Sequence, residues 1–418
     1  MSHGELPRVL AHARGRSLAE HRARFGAPEE MPHRRAALVE AIAAAGLRGR
    51  GGGAFPTATK LRAVAAGRGR RALVVNAAEG EPMSAKDRVL LELAPNLVLD
   101  GALLAAEAVG AREIVIAVKH SARGARETVT RLLGERRDTG GVRVAGVPDA
   151  YVAGEETALL HYLNGGPAVP TLVPPRPHQH GLGRRPTLVC NAETLAHLAL
   201  VARNGAAWFR ELGTPEHPGT ALVTVAGAVR RPGVHEVALG TPIAQAIAGA
   251  GGASGPLRAV LVGGYNGCWL TPEVAAGTGL DNASLRARGG AVGAGVVFAL
   301  PAGACPVAEV AGVVRWMARE SAGQCGPCVH GLDAIAGALA SIAAGRARPD
   351  VLDRLRRWAG QVQGRGACRH PDGVAVFVRS ALATFADELE AHRRHGPCRR
   401  CALRPLLAGP DASARPAA

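Results

Sequence analysis

Aromatic side chains are scarce in this 418-residue chain, at 3% of positions. Together with the lack of any helix-turn-helix, zinc-finger or RNA-binding pattern, that scarcity excludes a nucleic-acid reader, although Lys and Arg outnumber Asp and Glu by 50 to 34. The arginines are scattered, so the net charge of +16 reads as a basic surface. A sharper use for it is docking an acidic protein such as a ferredoxin, where opposite charge raises the association rate. The Arg- and His-rich stretch from Met1 to Phe25 has no apolar centre, which argues against a secretory signal. The long apolar run from Gly289 to Trp316 is broken by Pro301 and Pro306 and carries Glu309, so it reads as a strand, a turn and a buried helix, not a membrane span. Cysteine is sparse too: eight residues, unevenly spaced, in a chain long enough for two or three domains. That usage argues against a disulfide framework and for metal or redox chemistry in a reducing compartment. The expectation is a soluble, cytoplasmic protein without direct membrane insertion.

What is present is chemically pointed. Ser321-Ala322-Gly323-Gln324-Cys325-Gly326-Pro327-Cys328 is followed forty residues later by Cys368. Two neighbouring thiolates joined by a third suit a soft metal or an iron–sulfur cluster. Upstream, Gly46-Leu47-Arg48-Gly49-Arg50-Gly51-Gly52-Gly53 lets backbone N–H groups approach an anion or a flat ring, with Arg48 and Arg50 adding charge. It formally satisfies a dinucleotide fingerprint through Ala54, but a helix rather than a strand precedes it, so that signature is weak; an ordinary flexible loop is the alternative. Asn76 to Pro82 (NAAEGEP) ends a predicted strand, where α/β folds take ligands. Gly154-Glu155-Glu156-Thr157 opens a helix, with plain N-terminal capping as its alternative role. Cys190-Asn191-Ala192-Glu193-Thr194 is a fourth polar loop before a helix. His161, His178, His180 and His197 lack metal-ligand spacing and read as surface or packing residues; Trp208 and Phe209 read as core.

Buried strands at Arg70–Asn76, Glu113–Val118 and 142–147 alternate with helices at 35–45, Pro95–Gly110 and 121–136, which indicates an α/β layer with a mostly parallel sheet. From Ala221 a hairpin, a helix near 242–250 and the strand AVLVGG look like a β-grasp module. From Val307 to His392 the chain reads as helical. The expected organisation is an arm at 1–34, an α/β domain at 35–215, a β-grasp domain at 219–300, a helical domain at 305–393, and a polar tail at 394–418 with Cys398 and Cys401 and a Pro/Ala end read as disordered.

In this order the loops resemble the NADH-binding flavoprotein subunit of respiratory complex I, and the related subunits of NAD-reducing hydrogenases and formate dehydrogenases. The shared motifs run from Gly46 to Cys368: GLRGRGG-x-x-FPT, NA-x-E-x-EP-x-x-x-KDR, Y-x-x-GEETAL, N-x-ETL, the β-grasp (SLBB) module and GQCxPC. The resemblance implies FMN held by Gly49, Arg50, Gly51, Lys60, Asn76, Glu79, Gly154, Glu155, Asn191 and Thr194. It implies the nicotinamide nucleotide, NADH or NADPH, at Phe55, Glu81, Tyr151 and Glu156, and a [4Fe-4S] cluster on Cys325, Cys328 and Cys368. A flavin, which handles electrons singly or in pairs, then stands between a hydride donor and a one-electron carrier. The expected acceptor is another protein, an acidic ferredoxin or a membrane reductase complex.

The departures matter. Ala322 replaces the first cysteine of the family's SCGxCxPC, leaving Cys398, Cys401 and His370 as candidates for a fourth cluster ligand; the Cys398–Cys401 pair can alternatively be a separate zinc or redox site. Ala78 replaces an Asp, Cys190 an Asn, Val173 a Lys, and Ala63 and Arg176 stand where aromatics flank the adenine. Each lost contact costs roughly 1 kcal/mol, so weak nucleotide binding, or Arg176 facing the 2′-phosphate of NADPH, follows as an expectation. Two other readings stay open: a flavin and cluster relay that no longer binds nucleotide, and a non-catalytic SLBB scaffold.

Overall fold

The computed structural model describes residues 6–11, 17–26 and 36–407; the rest of the N-terminal arm and the Pro/Ala end of the tail lie outside the described residues. The chain divides into two compact units. The first comprises Met1–Gly80, Ala85–Val223 and Glu236–Thr241, and the second Glu81–Ser84, Thr224–His235 and Pro242–Ala418.

In the first unit the order is α1 (Leu18–Phe25), α2 (Ala36–Ala45), α3 (Thr57–Ala65), β1 (Arg71–Ala77), α4 (Lys86–Leu93), α5 (Pro95–Val109), β2 (Ala111–Lys119), α6 (Arg123–Glu135), β3 (Val142–Val147), α7 (Glu156–Leu163), β4 (Thr187–Asn191) and α8 (Ala192–Arg210). The strands form one sheet in the order β3-β2-β1-β4, parallel at every pairing. Ala72 to Val75 of β1 are fully buried, as befits a parallel sheet covered on both faces. Helix α5 starts on Pro95 and stops at Gly110 in the left-handed conformation (φ 71°). It crosses α8 so closely that a Cβ on Gly101 would lie 1.9 Å from the Leu195 carbonyl oxygen, so only glycine permits this packing. Trp208 and Phe209 are buried, as expected. Strand β4 is absent from the elements the apolar pattern predicts: five residues, TLVCN, running straight into Ala-Glu-Thr give too short an apolar signal.

The described part of the arm is anchored. His21 Nε2 of α1 lies 2.8 Å from Asp100 Oδ2, and Asp100 also faces Arg136 at 2.8 Å and Arg203. Burial alone would raise the Asp100 carboxyl, but the His21 hydrogen bond and the two guanidiniums hold it down at about 2. Asp100→Asn takes the shared counter-charge from two buried cations and is expected to destabilise the unit by about 3–5 kcal/mol. Because the folded pKa is depressed, this contribution is complete above the ordinary carboxylate range and fades as pH falls toward 2. Denaturant unfolding should therefore show the gap between wild type and variant narrowing below about pH 4; a gap that does not change with pH there would count against the assignment.

The second unit takes in Thr224–Gly227 of β5 (Thr220–Gly227) and Gly233–His235 of β6 (Gly233–Ala238), then α9 (Ile243–Gly249), β7 (Leu257–Val262), β8 (Cys268–Leu270), α10 (Pro272–Ala276), α11 (Asn282–Arg286) and β9 (Val296–Pro301), then α12 (Pro306–Arg319), α13 (Asp333–Ala343), α14 (Val351–Val362), α15 (His370–Thr384) and α16 (Ala386–His395). The sheet order is β6-β5-β9-β7-β8, with β9 parallel to β5 and antiparallel to β7. Aromatic contacts tie this unit together: the Trp269 ring of β8 lies 5.8 Å from Phe377 of α15 and 5.1 Å from Phe385. That contact joins the sheet to the helices. Among the described residues no single helix is long and apolar enough to cross a membrane.

Candidate functional site

Leaving β1, the chain goes to β2 on one side of it and returns later as β4 on the other. In an open parallel sheet this reversal opens a crevice beyond the C-terminal ends of the two strands, the place where such folds take ligands. The register sets Asn76 beside Asn191 at that point. Asn76 Nδ2 donates to the Gly154 carbonyl at 2.8 Å, and its Oδ1 accepts from Ala78 N–H at 3.1 Å. Asn191 Nδ2 donates to the Asn76 carbonyl at 3.2 Å and to Asp87 Oδ2 at 2.6 Å, while its Oδ1 caps α8 by accepting from Glu193 N–H at 3.1 Å. A Cβ on Gly154 would stand 2.2 Å from the Ala78 carbonyl oxygen, so the loops after β1 and before α7 touch backbone to backbone.

The glycine loop lies against the first turn of α8. Gly49 N–H donates to the Phe55 carbonyl at 2.9 Å, and Arg50 N–H donates to Thr194 Oγ1 at 2.9 Å. A Cβ on Gly51 would approach Asn191 Cβ at 3.3 Å, whereas one on Gly53 would meet nothing within 4 Å. The Arg50 guanidinium donates to the carbonyls of Thr220 at 3.0 Å, Arg48 at 3.1 Å and Pro218 at 3.2 Å; its charge ties the loop down. Lys60 Nζ reaches Glu156 Oε1 at 3.0 Å and the Val189 carbonyl at 3.2 Å. Glu155 Oε2 accepts from Thr157 N–H at 2.9 Å and Ala158 N–H at 3.0 Å, which is the capping role weighed above. Tyr151 opens the short 3-10 turn before it. Glu79 Oε1 accepts from Asp87 N–H at 3.4 Å. The Phe55 ring, 51% exposed, is open to stacking. An open cleft of about 400 Å³ beside Ala63 is bordered by Arg68, His178, His180 and Arg184.

Lys86 and Asp87 belong to the KDR motif, yet the sequence pattern assigns them no role. Lys86 Nζ, buried beneath the crevice, lies 2.9 Å from Asp87 Oδ1, 2.9 Å from Glu193 Oε2 and 3.3 Å from Asn191 Oδ1. Burial works against its charge, yet Asp87, Glu193 and Glu79 outweigh it and raise its pKa. Burial would likewise raise Glu193, but Lys86, His197 and Arg50 bring its carboxyl down to about 2. A lysine followed directly by an aspartate, shortly past a strand end, is the available signal.

In the second unit the buried Glu81 carboxylate accepts from Tyr265 N–H at 2.8 Å and Met83 N–H at 3.3 Å. Cys328 sits in a π-helical turn (Pro327–Leu332), a local insertion frequent at functional sites. Burial pushes its thiol up to about 12, helped by the adjacent thiols of Cys325 and Cys368 and opposed by a hydrogen bond with Ser321. Cys328 thus has the other two predicted cysteines as its neighbouring thiols. His370 does not join them through Nε2, which lies 2.9 Å from the Met317 carbonyl. Cys398 and Cys401 gather elsewhere, with Cys305 and His392, two residues that the sequence pattern does not single out.

A flat, anionic cofactor fits the switch-point crevice with its open glycine rim and the N-terminus of α8, and a cluster of sulfur-ligated iron fits three convergent thiols. Fold and site together define a class, the flavin- and iron–sulfur-binding subunits of oxidoreductases. Family comparisons agree: the Nuo51 FMN-binding domain matches residues 42–200, the SLBB domain 222–264 and the NADH-ubiquinone oxidoreductase-F iron-sulfur binding region 308–392. The F 2 subunit of NADH-quinone oxidoreductase from Rhizobium meliloti (strain 1021) is 33% identical over 380 residues, covering 86% of this chain and 90% of the relative. The NADH-quinone oxidoreductase F subunit of Rickettsia bellii (strain OSU 85-389) is 31% identical over 372 residues, covering 85% and 89%. Among solved structures, an NAD+-reducing [NiFe]-hydrogenase in the H2-reduced state superposes with a TM-score of 0.80 at 36% identity, over 88% of this chain and 64% of that one. The air-oxidized state gives 0.82 at 32% identity, over 98% and 70%. The chain belongs to the family of NADH-quinone oxidoreductase F subunits.

Proposed function

We propose that this chain oxidises NADH and passes the electrons singly to a protein acceptor, as the electron-input subunit of a larger assembly. The observation that carries the reading is the crevice at the ends of β1 and β4, lined by Asn76, Asn191, Thr194 and the Gly49–Gly51 loop, in a chain whose other unit gathers three cysteines. Bound there, FMN would supply the conversion of a hydride into single electrons and a [4Fe-4S] cluster the onward step.

The residues divide the work. The Gly51–Gly53 backbone, which a side chain does not crowd at Gly53, would hold the anionic part of the cofactor, while the Gly49 and Arg50 N–H groups fix the loop to Phe55 and Thr194, and Asn76 and Asn191 fix the two strand ends. Lys60, Glu79, Gly154 and Glu155 hold the surrounding loops by the bonds given above. Phe55, exposed, would stack on the nucleotide base, with Tyr151 and Glu156 beside α7 as the other nucleotide residues of the first unit; Glu81, in the second unit, is the remaining residue that the family resemblance assigns to the nucleotide. The basic rim of Arg68, His178, His180 and Arg184 suits a phosphate, which favours tolerance of NADPH as well as NADH. Cys325, Cys328 and Cys368 supply three thiolates; Ala322 supplies none, and the Ser321 hydroxyl beside Cys328 is the adjacent oxygen donor. The +16 charge favours an acidic partner, a ferredoxin or a reductase complex at which the chain sits peripherally in the cytoplasm. A relay without nucleotide binding is the second reading, favoured by the engagement of Glu81 with Tyr265 and by Ala63 and Arg176 in place of aromatics.

Anaerobic titration of reconstituted protein with NADH and NADPH, following flavin absorbance and cluster EPR together, tests the reading. Bleaching with a reduced-cluster signal is expected with NADH. A protein that dithionite reduces but neither nucleotide does is a relay, and a protein that retains no flavin refutes both.

A further inference from the structure

Outside the sites already described, the second unit brings together four ligand atoms from three distant places. Cys305 is the N-cap of α12, His392 lies in the last turn of α16, and beyond it Cys398 is the N-cap of a 3-10 turn that contains Cys401. Their donor atoms all lie within 4.8 Å of one another. Cys305 Sγ is 3.2 Å from Cys401 Sγ and 3.5 Å from His392 Nε2; Cys401 Sγ is 3.2 Å from His392 Nε2 and 3.8 Å from Cys398 Sγ.

Those separations decide between metals. Thiolates bound to one tetrahedral zinc at about 2.3 Å stand about 3.7 Å apart, whereas thiolates around a four-iron cubane bind different irons and must be farther apart. The set is that of a single ion. The imidazole is also prepared for it: His392 Nδ1 lies 2.7 Å from the Glu388 carbonyl one helical turn back, which places the proton on Nδ1 and leaves the Nε2 lone pair facing the sulfurs. Four protein donors fill a tetrahedron and leave no position for water or substrate, which marks a structural rather than a catalytic ion.

We propose that Cys305, His392, Cys398 and Cys401 bind a structural zinc ion, separate from the iron–sulfur cluster. On binding, the three thiols lose their protons to solvent, and Zn²⁺ with three thiolates and a neutral imidazole carries one net negative charge. The ion ties the C-terminal turn to the start of α12. The next residues continue along the same helix: Leu406 and Leu407 N–H both donate to Glu309 at 2.8 Å, and the Leu407 carbonyl accepts from the Tyr265 hydroxyl. The assignment stands whether or not the chain oxidises NADH.

Zinc and iron are to be counted by mass spectrometry in the full chain purified without added metal. About one zinc per chain is expected in the wild type. Cys401→Ser and His392→Ala should lose the zinc and retain the iron. Absence of zinc from the wild type, zinc unchanged in both variants, or iron lost in step with the zinc would each overturn the proposal. If the variants fail to fold, exchange of cobalt(II) into wild-type protein gives the answer. Intense tetrahedral d–d bands with thiolate-to-cobalt charge transfer support the site, and a weak octahedral spectrum refutes it.

Discussion

Cys328→Ala abolishes iron binding and stops electron delivery to a protein acceptor, while NADH still bleaches the flavin: this is the expected outcome for the most buried of the three clustered thiols. Cys328 lies against both Cys325 and Cys368, so its loss takes away the centre of the set and leaves two thiols for an iron–sulfur group that already has alanine at position 322. Outer partners of metal ligands cost roughly 10–100-fold when removed, and a direct ligand at a site already short of one should cost more. The separation of effects follows from the fold. The crevice residues belong to the α/β unit, with its own buried sheet, and the cysteines to the other. Iron analysis, NADH-dependent flavin bleaching and reduction of a ferredoxin should be measured on the same preparation. If acceptor reduction survives unchanged in the variant, the cluster lies elsewhere; if flavin bleaching also vanishes, the effect is on folding.

The sequence is most legible where one local signal suffices. Apolar runs locate β1 to β3, Pro95 and Gly110 mark the ends of α5, and the spacing of Cys325 and Cys328 marks a metal-type pair, to which the family resemblance adds Cys368. It is least legible where partners lie far apart. Cys398 and Cys401 announce themselves as a pair, but nothing in the spacing points to Cys305, ninety-six residues from Cys401, or to His392 among the charged residues of α16. Chemical type is also legible before role. Glu155 and Arg50 stand out in the sequence as polar groups on cofactor-type loops, yet their side chains cap a helix and bind carbonyls. A sequence gives the hydrogen-bonding capacity of a residue but does not show whether backbone groups nearby already consume it.

Lys86 is the clearest instance, and Lys86→Met is expected to be the most destabilising change beneath the crevice. Its ammonium is the shared counter-ion of Asp87 and Glu193, which are 5% and 1% exposed in their side chains. Removing one partner of a buried ionic group leaves the others uncompensated and costs about 3–5 kcal/mol. The loss reaches the ligand crevice because Asn191, which accepts from Lys86, also caps α8 and holds β1 to β4. Flavin retention should fall together with stability. The pH dependence distinguishes this from a simple packing defect. In the wild type Glu193 titrates at about 2, below the unfolded value near 4.3, so its contribution is complete above that value and is lost as pH falls toward 2. Asp87, already raised by burial with Lys86 beside it, rises further once that cation is gone; the variant then gains stability as the pH falls through that raised value. Thermal unfolding from pH 8 to pH 5 should therefore show the deficit of the variant shrinking on acidification. Glu193→Gln in the Lys86→Met background should recover part of the loss, since it removes one of the stranded charges. A deficit that is constant with pH, and a double variant as unstable as the sum of the singles, would mean that Lys86 acts by shape alone and that the charges beneath the crevice are independent of it.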